Sequence, residues 1–259
     1  MDLGIKERSA IVCASSRGLG EACATSLARE GVRVFINGRN QRTLDEAALR
    51  IERATGQRAF TVKADITTEE GRERILSACP NADMLINNNA GPAPGKLEDW
   101  DHAAWITALD SNMLAPILLI RAVLPGMRKR RFGRIINITS AMVKSPAPGM
   151  GLSAAARTGL TAFCKSISHE AAADNVTINN LLPERIDTDR QRFMAERMMV
   201  EQDITFEEAR CQIAESLSAK RFGLPSEFAD ACAFLCSVQA SFISGQNLQI
   251  DGGSYRGLV

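Results

Sequence analysis

Ser9-Ala10-Ile11-Val12-Cys13-Ala14-Ser15-Ser16-Arg17-Gly18-Leu19-Gly20 is the stretch that decides the fold. Ser9–Cys13 is a short run that reads as a buried strand. A turn of small residues follows, and a helix is expected from about Gly18 to Glu30. A strand feeding a tight turn and then a helix is the opening of a βαβ unit. Small residues let backbone amides approach a phosphate, and the positive end of the helix favours its charge. Ser15, Ser16, Arg17, Gly18, Leu19 and Gly20 are therefore candidates to bind the pyrophosphate of a dinucleotide. The loop is short of glycine, and its place between strand and helix carries the reading.

The same alternation continues along the chain. Strands are expected at Val32–Asn37, Ala59–Lys63, Met84–Asn87, Gly133–Ile138, Thr177–Leu182 and Asn247–Ile250. Helices are expected at Arg42–Thr55, up to about Cys79, over Trp100–Arg130 with an interruption near Ala115-Pro116, and over Ser153–Asp174. Further helical segments run to about Ala219, and a last helix covers Pro225–Ser237. Apolar strands alternating with helices call for a parallel sheet covered on both faces. The fold class is α/β: a doubly wound Rossmann fold with a seven-stranded parallel sheet and helices on both faces. One NAD(P)-binding domain is expected over residues 1–259, with its ligand crevice at the carboxyl ends of the strands.

The chain has 259 residues and a formal net charge of +1 with both signs interspersed, so neither a nucleic-acid nor a membrane partner is implied. No unbroken run of about 18 apolar residues appears. The polar N-terminus lacks a signal-peptide apolar region. A cytoplasmic protein is expected. The seven cysteines show no paired spacing for a metal, and His102 and His169 are too few for a histidine-rich site, so no metal is expected. The basic run Arg128-Lys129-Arg130-Arg131 sits at a helix end, where cations complement the helix dipole.

The end of the second strand reads Asn37-Gly38-Arg39-Asn40, with no acidic residue. A carboxylate there serves the ribose hydroxyls of NAD and would repel a 2′-phosphate. Guanidinium groups would bind that phosphate, so Arg17 and Arg39 favour NADP(H) over NAD(H).

Several further segments form a set. Asp65-Ile66 follows the third strand, and Asn87-Asn88-Asn89-Ala90-Gly91 the fourth. Asp110-Ser111-Asn112 lies in a helix. Asn137-Ile138-Thr139-Ser140 ends the fifth strand. Pro183-Glu184-Arg185-Ile186-Asp187-Thr188 follows the sixth. Arg221–Glu227, Ile243–Gln246 and Asp251–Gly253 close the chain. Together they make the chain resemble the short-chain dehydrogenase/reductase family over almost its whole length. Ala14 stands at the first glycine of that family's loop. The resemblance implies that Asp65 and Ile66 contact adenine and that Asn88, Ala90 and Gly91 belong to the turn beside the cofactor. That turn fits the family pattern in two registers, with or without one inserted residue. The resemblance further implies that Pro183, Ile186 and Thr188 pack near the nicotinamide, that Asn112 supports a catalytic water, and that Ser140 orients the substrate.

One motif departs from the family. The position thirteen residues after Ser140, where relatives carry a tyrosine, is Ser153, and the lysine four residues further on is Arg157. The only tyrosine is Tyr255. Both positions fall on one face of a helix. A serine is a far weaker acid than a phenol, so the general-acid contribution, typically about 10²–10⁴-fold, is at stake. Arg157 remains able to contact the nicotinamide ribose and supply positive charge, but it is a poor proton relay. Lys144, Glu184, or a water held by Asn112, Ser140 and Ser153 are the alternative proton sources.

The leading expectation is an NADP(H)-dependent oxidoreductase acting on a small carbonyl or alcohol, of the 3-oxoacyl-carrier-protein reductase type. The alternatives are a non-catalytic nucleotide-binding sensor or subunit, an enoyl-type reductase, and a lyase or isomerase. Met194, Met198 and Met199 occupy the segment where relatives carry a substrate lid, which suits an adaptable apolar pocket. Relatives commonly assemble as homotetramers or homodimers, and the stripe Met113, Ile117, Ile120, Leu124 is compatible with either an interface or core.

Overall fold

Runs such as Ser9–Val12 and Met84–Asn87 are buried at every residue, so they have no polar face to offer water. Such strands pair in parallel beneath crossover helices. A computed structural model describes residues 1–258. It contains β1 (Ser9–Val12), β2 (Arg33–Gly38), β3 (Phe60–Lys63), β4 (Met84–Asn87), β5 (Gly133–Ile138), β6 (Val176–Pro183) and β7 (Asn247–Ile250). They form one sheet in the order β3-β2-β1-β4-β5-β6-β7, with every pairing parallel. The direction of winding reverses between β1 and β4, which opens a crevice at their carboxyl ends.

The helices in chain order are α1 (Gly18–Arg29), α2 (Gln41–Thr55), α3 (Glu69–Ala78), α4 (His102–Leu109), α5 (Ala115–Arg130), α6 (Gly151–Ala172), α7 (Asp189–Gln202), α8 (Phe206–Ser216) and α9 (Pro225–Cys236). Alternation along the strands sorts the core into two layers. Val12, Ile36, Ile86 and Ile136 pack with α1, α2 and α9. Ile11, Leu85, Ile135 and Ile178 pack with α3, α5 and α6. Each fully buried aliphatic side chain stabilises the layer it joins by about 1.5–3 kcal/mol. A third, small core of Ala195, Ala209 and Ile213 holds α7 to α8, with Met198 and Met199 packed against it.

Local chemistry sets the helix ends. Asn40 caps α2 by accepting from Thr43 N, and α2 stops at Gly56 with φ 72°. Thr205 and Glu208 form a reciprocal capping box at the start of α8. The basic run ending α5 is ion-paired: Arg128 and Arg131 hold Asp174 at 2.7 and 3.1 Å. Six cysteines are buried and Cys211 is exposed; all are free thiols.

The helical interruption lies earlier than the sequence suggests. Asp110–Leu114 forms a π-helical turn between α4 and α5, and the Ala115 amide donates to the Asp110 carbonyl. Pro116 has no N–H to give the carbonyl of Asn112, so the hydrogen-bond ladder shifts by one residue just before it. The combined run His102–Arg130 is long and apolar enough, by length and composition, to cross a membrane; a third of its most apolar window is buried. The expectation drawn from unbroken apolar runs did not register it. Ile120 of its stripe is core, whereas Met113, Ile117 and Leu124 are half-covered.

A row of asparagines crosses the carboxyl edge of the sheet. Asn87 Nδ2 donates to Asn137 Oδ1 at 2.9 Å, Asn137 Nδ2 to Asn180 Oδ1 at 2.9 Å, and Asn180 Nδ2 to Asn247 Oδ1 at 2.7 Å. All four are register partners on β4, β5, β6 and β7. Asn137 Nδ2 also donates to Cys164 Sγ at 3.2 Å. Replacing Asn137 by alanine orphans a buried amide on one side and a buried carbonyl on the other, each costing about 1–3 kcal/mol. Asn137→Ala is expected to lower unfolding free energy in urea by about 2–6 kcal/mol, and Asn247→Ala, at the partly exposed end of the row, by about 1–3 kcal/mol, near the lower figure. Equal losses at the two positions would refute the account.

Candidate active site

A cleft of about 1620 Å³ crosses the carboxyl edge from the β1–α1 turn to α7. Ser16, Arg17, Gly18 and Leu19 line it; Ser15 and Gly20 do not. Ser15 is turned inward, its hydroxyl donating to Val12 O at 2.6 Å and accepting from Asn37 N at 2.9 Å. Its side chain ties the turn to β2 instead of facing a ligand, which corrects its expected contact. Gly20 lies where α1 presses on the turn, and a Cβ there would collide with the Ala14 carbonyl oxygen. Asn88 Nδ2 donates to that same carbonyl at 3.1 Å. Ala14 itself sits at φ 44°, a left-handed conformation that costs a residue with a Cβ about 1–2 kcal/mol. Arg17 supplies no side-chain cap to α1, so the amides of its first turn remain open to an oxyanion.

At the end of β2, Arg39 lines the cleft beside Asp65, Ile66 and Thr67. Burial pushes the Asp65 carboxyl up, but bonds from the Thr67 amide and hydroxyl (3.0 and 2.8 Å) and the Arg39 charge more than offset it and hold it low. Arg17 pairs with Asp189 at 3.2 Å across the mouth, and both are largely exposed. Strand pairing runs without a bulge through Asn87, so any additional residue of the following turn falls after the strand. Asn89 Nδ2 donates to Ser111 O at 3.1 Å, and Asn88, Ala90 and Gly91 line the cleft.

At the reaction end, Ser140, Ser153 and Arg157 line the same cleft as Pro183, Glu184, Ile186 and Thr188. Ser140 Oγ accepts from Met142 N at 3.2 Å. Arg157 is buried and donates from Nε to Ser153 Oγ at 3.3 Å, from Nη1 to Ile138 O at 2.7 Å, and from Nη2 to Asn89 O at 3.4 Å. All these partners are neutral. Burial and, secondarily, the charge of Arg190 bring its pKa down to about 10, so it stays cationic at neutral pH. Asn112 is buried behind Ser111 and does not reach the cleft wall. Its Nδ2 donates to Ser111 Oγ at 3.0 Å, and its Oδ1 is a buried acceptor with no partner among the described residues.

The two alternative acid–base residues separate. Lys144 does not line the cleft; its ammonium lies 5.4 Å from the centre of the Tyr255 ring. Its side chain is turned toward the C-terminal segment instead of the cleft. Glu184 does line the cleft, and burial raises its carboxyl despite Arg185 at 3.1 Å. Met194 and Met198 line the cleft as well, while Met199 packs in the small α7–α8 core. Sequence reasoning missed Arg185, Arg190 and Arg197 on the same wall. The signal was present: Arg190 and Arg197 are two helical turns apart in the segment read for its methionines.

The loop between strand and helix, the winding of the sheet and the altered tyrosine position together define a nucleotide-binding oxidoreductase scaffold. The chain belongs to the short-chain dehydrogenase/reductase family of oxidoreductases: a family model described as enoyl-(acyl carrier protein) reductase matches residues 13–255. It is 32% identical over 259 residues to NADPH-dependent reductase BacG of Bacillus subtilis (strain 168), covering 98% of this chain and 100% of that protein. It is 31% identical over 257 residues to 3-oxoacyl-(acyl-carrier-protein) reductase FabG of Vibrio cholerae serotype O1, covering 98% and 99%. The crystal structure of L-sorbose reductase from Gluconobacter frateurii, complexed with NADPH and L-sorbose, superposes with a TM-score of 0.93 at 28% identity over the full length of both chains.

Arg157 is a buried cation without a carboxylate partner, so its removal relieves desolvation while taking a donor from Ser153 Oγ and from the Ile138 and Asn89 carbonyls. Arg157→Met is expected to change unfolding free energy by no more than about 1 kcal/mol, against about 3–5 kcal/mol for breaking a buried ion pair; urea denaturation reads the difference. For Glu184 the folded-state pKa is raised. Its contribution is therefore fully present below the ordinary glutamate pKa and is lost as pH rises through the folded value. Glu184→Gln, which mimics the neutral form, should raise Tm at pH 7 and leave it unchanged near pH 3. A gain of equal size at both pH values would contradict this.

Proposed function

We propose that the protein is an NADP(H)-dependent reductase acting on a carbonyl/alcohol pair, of the 3-oxoacyl-thioester reductase type, with a serine–arginine pair replacing the family's tyrosine and lysine. The observation that carries this reading is one continuous cleft joining the β1–α1 turn and Arg39 to Ser140, Ser153 and Arg157. Open amides at the start of α1 suit a pyrophosphate, and the absence of a carboxylate at Asn37-Gly38-Arg39 suits a 2′-phosphate. NADPH-linked relatives agree with that choice.

Reduced nicotinamide, when bound, supplies a hydride to the carbonyl carbon. Thr188 stands over the turn, within 3.9 Å of where a Cβ at Gly18 would lie, and with Pro183 and Ile186 it would keep the ring against the cleft wall. Arg157 Nε–H occupies a lone pair of Ser153 Oγ, which leaves the serine's own hydrogen free to point into the cleft. Ser140 and Ser153 then donate to the carbonyl oxygen, and the nearby guanidinium stabilises the charge that develops there. The proton that completes the alcohol passes through the Ser153 hydroxyl from water in the open cleft, and the hydroxide returns to solvent; the unpartnered Oδ1 of Asn112, behind Ser111, is an acceptor for a separate buried water that supports this wall. Assembly as a homodimer or homotetramer belongs to the same reading, since Met113, Ile117 and Leu124 are only half-covered within one chain.

A second reading, a nucleotide-binding sensor without turnover, is favoured by one observation: the only tyrosine lies outside the cleft. NADPH oxidation across a panel of ketones, acyl thioesters and enones separates the two. Turnover is expected, with Ser153→Ala lowering kcat by about 10²-fold or more at unchanged NADPH affinity, and Arg39→Asp moving preference toward NADH. NADPH binding without oxidation by any member of the panel would overturn the reductase in favour of the sensor. Product formation without net NADPH consumption would point to an isomerase or lyase.

A further inference from the structure

We propose that the reaction end of this cleft is built to hold a substrate bearing a carboxylate, with Arg190 as its principal anchor and Arg157 as a second positive group. The inference deepens the reductase reading and rests on it for the identity of the site.

Four guanidinium groups line this part of the cleft: Arg157, Arg185, Arg190 and Arg197. Two are ion-paired. Arg185 faces Glu184 at 3.1 Å, and Arg197 faces Glu201 at 2.7 Å. Arg157 and Arg190 have no carboxylate within ion-pair distance among the described residues. The other acids on the wall are engaged elsewhere or pair with neither: Asp189 with Arg17, Asp99 with the Lys96 amide, and Asp110 at the π-helical turn.

Arg190 and Arg197 offer a comparison within one helix. Each donates to a carbonyl of the loop after β4, Arg190 Nη2 to Pro92 O and Arg197 Nη1 to Pro94 O, both at 3.1 Å. Both therefore strap that loop to α7. Strapping alone requires no unbalanced charge, and Arg197 does it with Glu201 beside it. Arg190 does it with no counter-ion, while half-buried and in the field of Arg197 and Arg185, which together with burial hold its pKa below the usual arginine value. A guanidinium carries five N–H donors, and one of them is used at Pro92. Its guanidinium also lies 5.6 Å from the centre of the Phe193 ring, and the side chain lines a cleft that already contains the buried cation Arg157. Two uncompensated cations at one end of a pocket repel each other, and an incoming carboxylate relieves that cost by accepting from the guanidinium.

The test is calorimetric and independent of turnover. NADPH is titrated first. Levulinate and its methyl ester, then pyruvate and pyruvamide, are titrated into the NADPH-saturated protein and into the free protein. The carboxylate member of at least one pair should bind about tenfold or more tightly than its neutral partner. Arg190→Gln should abolish that preference, Arg190→Lys should keep part of it, and Arg197→Gln should retain most of it, because that charge is already paired with Glu201. Equal binding within both pairs, no detectable binding of either acid, or a preference surviving Arg190→Gln would overturn the proposal. Failure to bind NADPH would count against the reductase reading alone, since the acid–neutral comparison on the free protein still reports on Arg190.

Discussion

A buried row of amide side chains governs the geometry of this protein. Backbone bonds of a parallel sheet tolerate a slipped register in principle, but Asn87, Asn137, Asn180 and Asn247 do not. A slip of one residue would set an apolar side chain opposite an amide and leave buried donors and acceptors unpaired, at a cost of the order of the stability of a whole domain once several are counted. The row sits where the chain leaves the sheet to build the cleft. Asn88 follows Asn87 directly and reaches the Ala14 carbonyl, Ser140 lies three residues beyond Asn137, and Pro183 three beyond Asn180. The relative heights of these groups are set by the row beneath them.

Ser153 and Arg157, standing where the family carries tyrosine and lysine, are tied into the same framework. A lysine in place of Arg157 would be a single ammonium. The guanidinium instead spans three acceptors at once, Ser153 Oγ and the carbonyls of Ile138 and Asn89, linking α6, β5 and the loop after β4. Its charge is costly to bury with only neutral partners, and it lies in the wall where hydride transfer is proposed. Rigidity and electrostatic field are thus combined in one side chain, while the hydroxyl that remains for the substrate is the smaller one of Ser153.

Much of the fold was legible in the sequence because both-face burial turns parallel strands into largely apolar runs; β4 and β5, buried at every residue, fall where those runs lie. The π-helical turn was not, because its cause is a missing N–H at Pro116 whose effect appears several residues earlier. Within the cleft, the residues assigned from loop placement and motif spacing converge on one cavity, apart from Ser15, Gly20, Asn112 and Lys144. Ser15 and Lys144 depart for a common reason: a sequence position does not say which way a side chain turns, and local partners, Val12 O and Asn37 N for one, the Tyr255 ring for the other, decide it. The asparagine row escaped notice for a different reason. Its members are tens of residues apart and become neighbours only when strand register is known.

The small core of Ala195, Ala209 and Ile213 is separate from the two layers that sandwich the sheet. Replacements on α7 and α8 therefore disturb a packing unit of their own. Met194, which lines the cleft but makes no part of the sheet's two layers, can therefore change with little effect on them, whereas Arg190 and Arg197 also hold the loop after β4. The packing of α7 on α8 is thus a local unit whose apolar contacts can be altered without touching the sheet core.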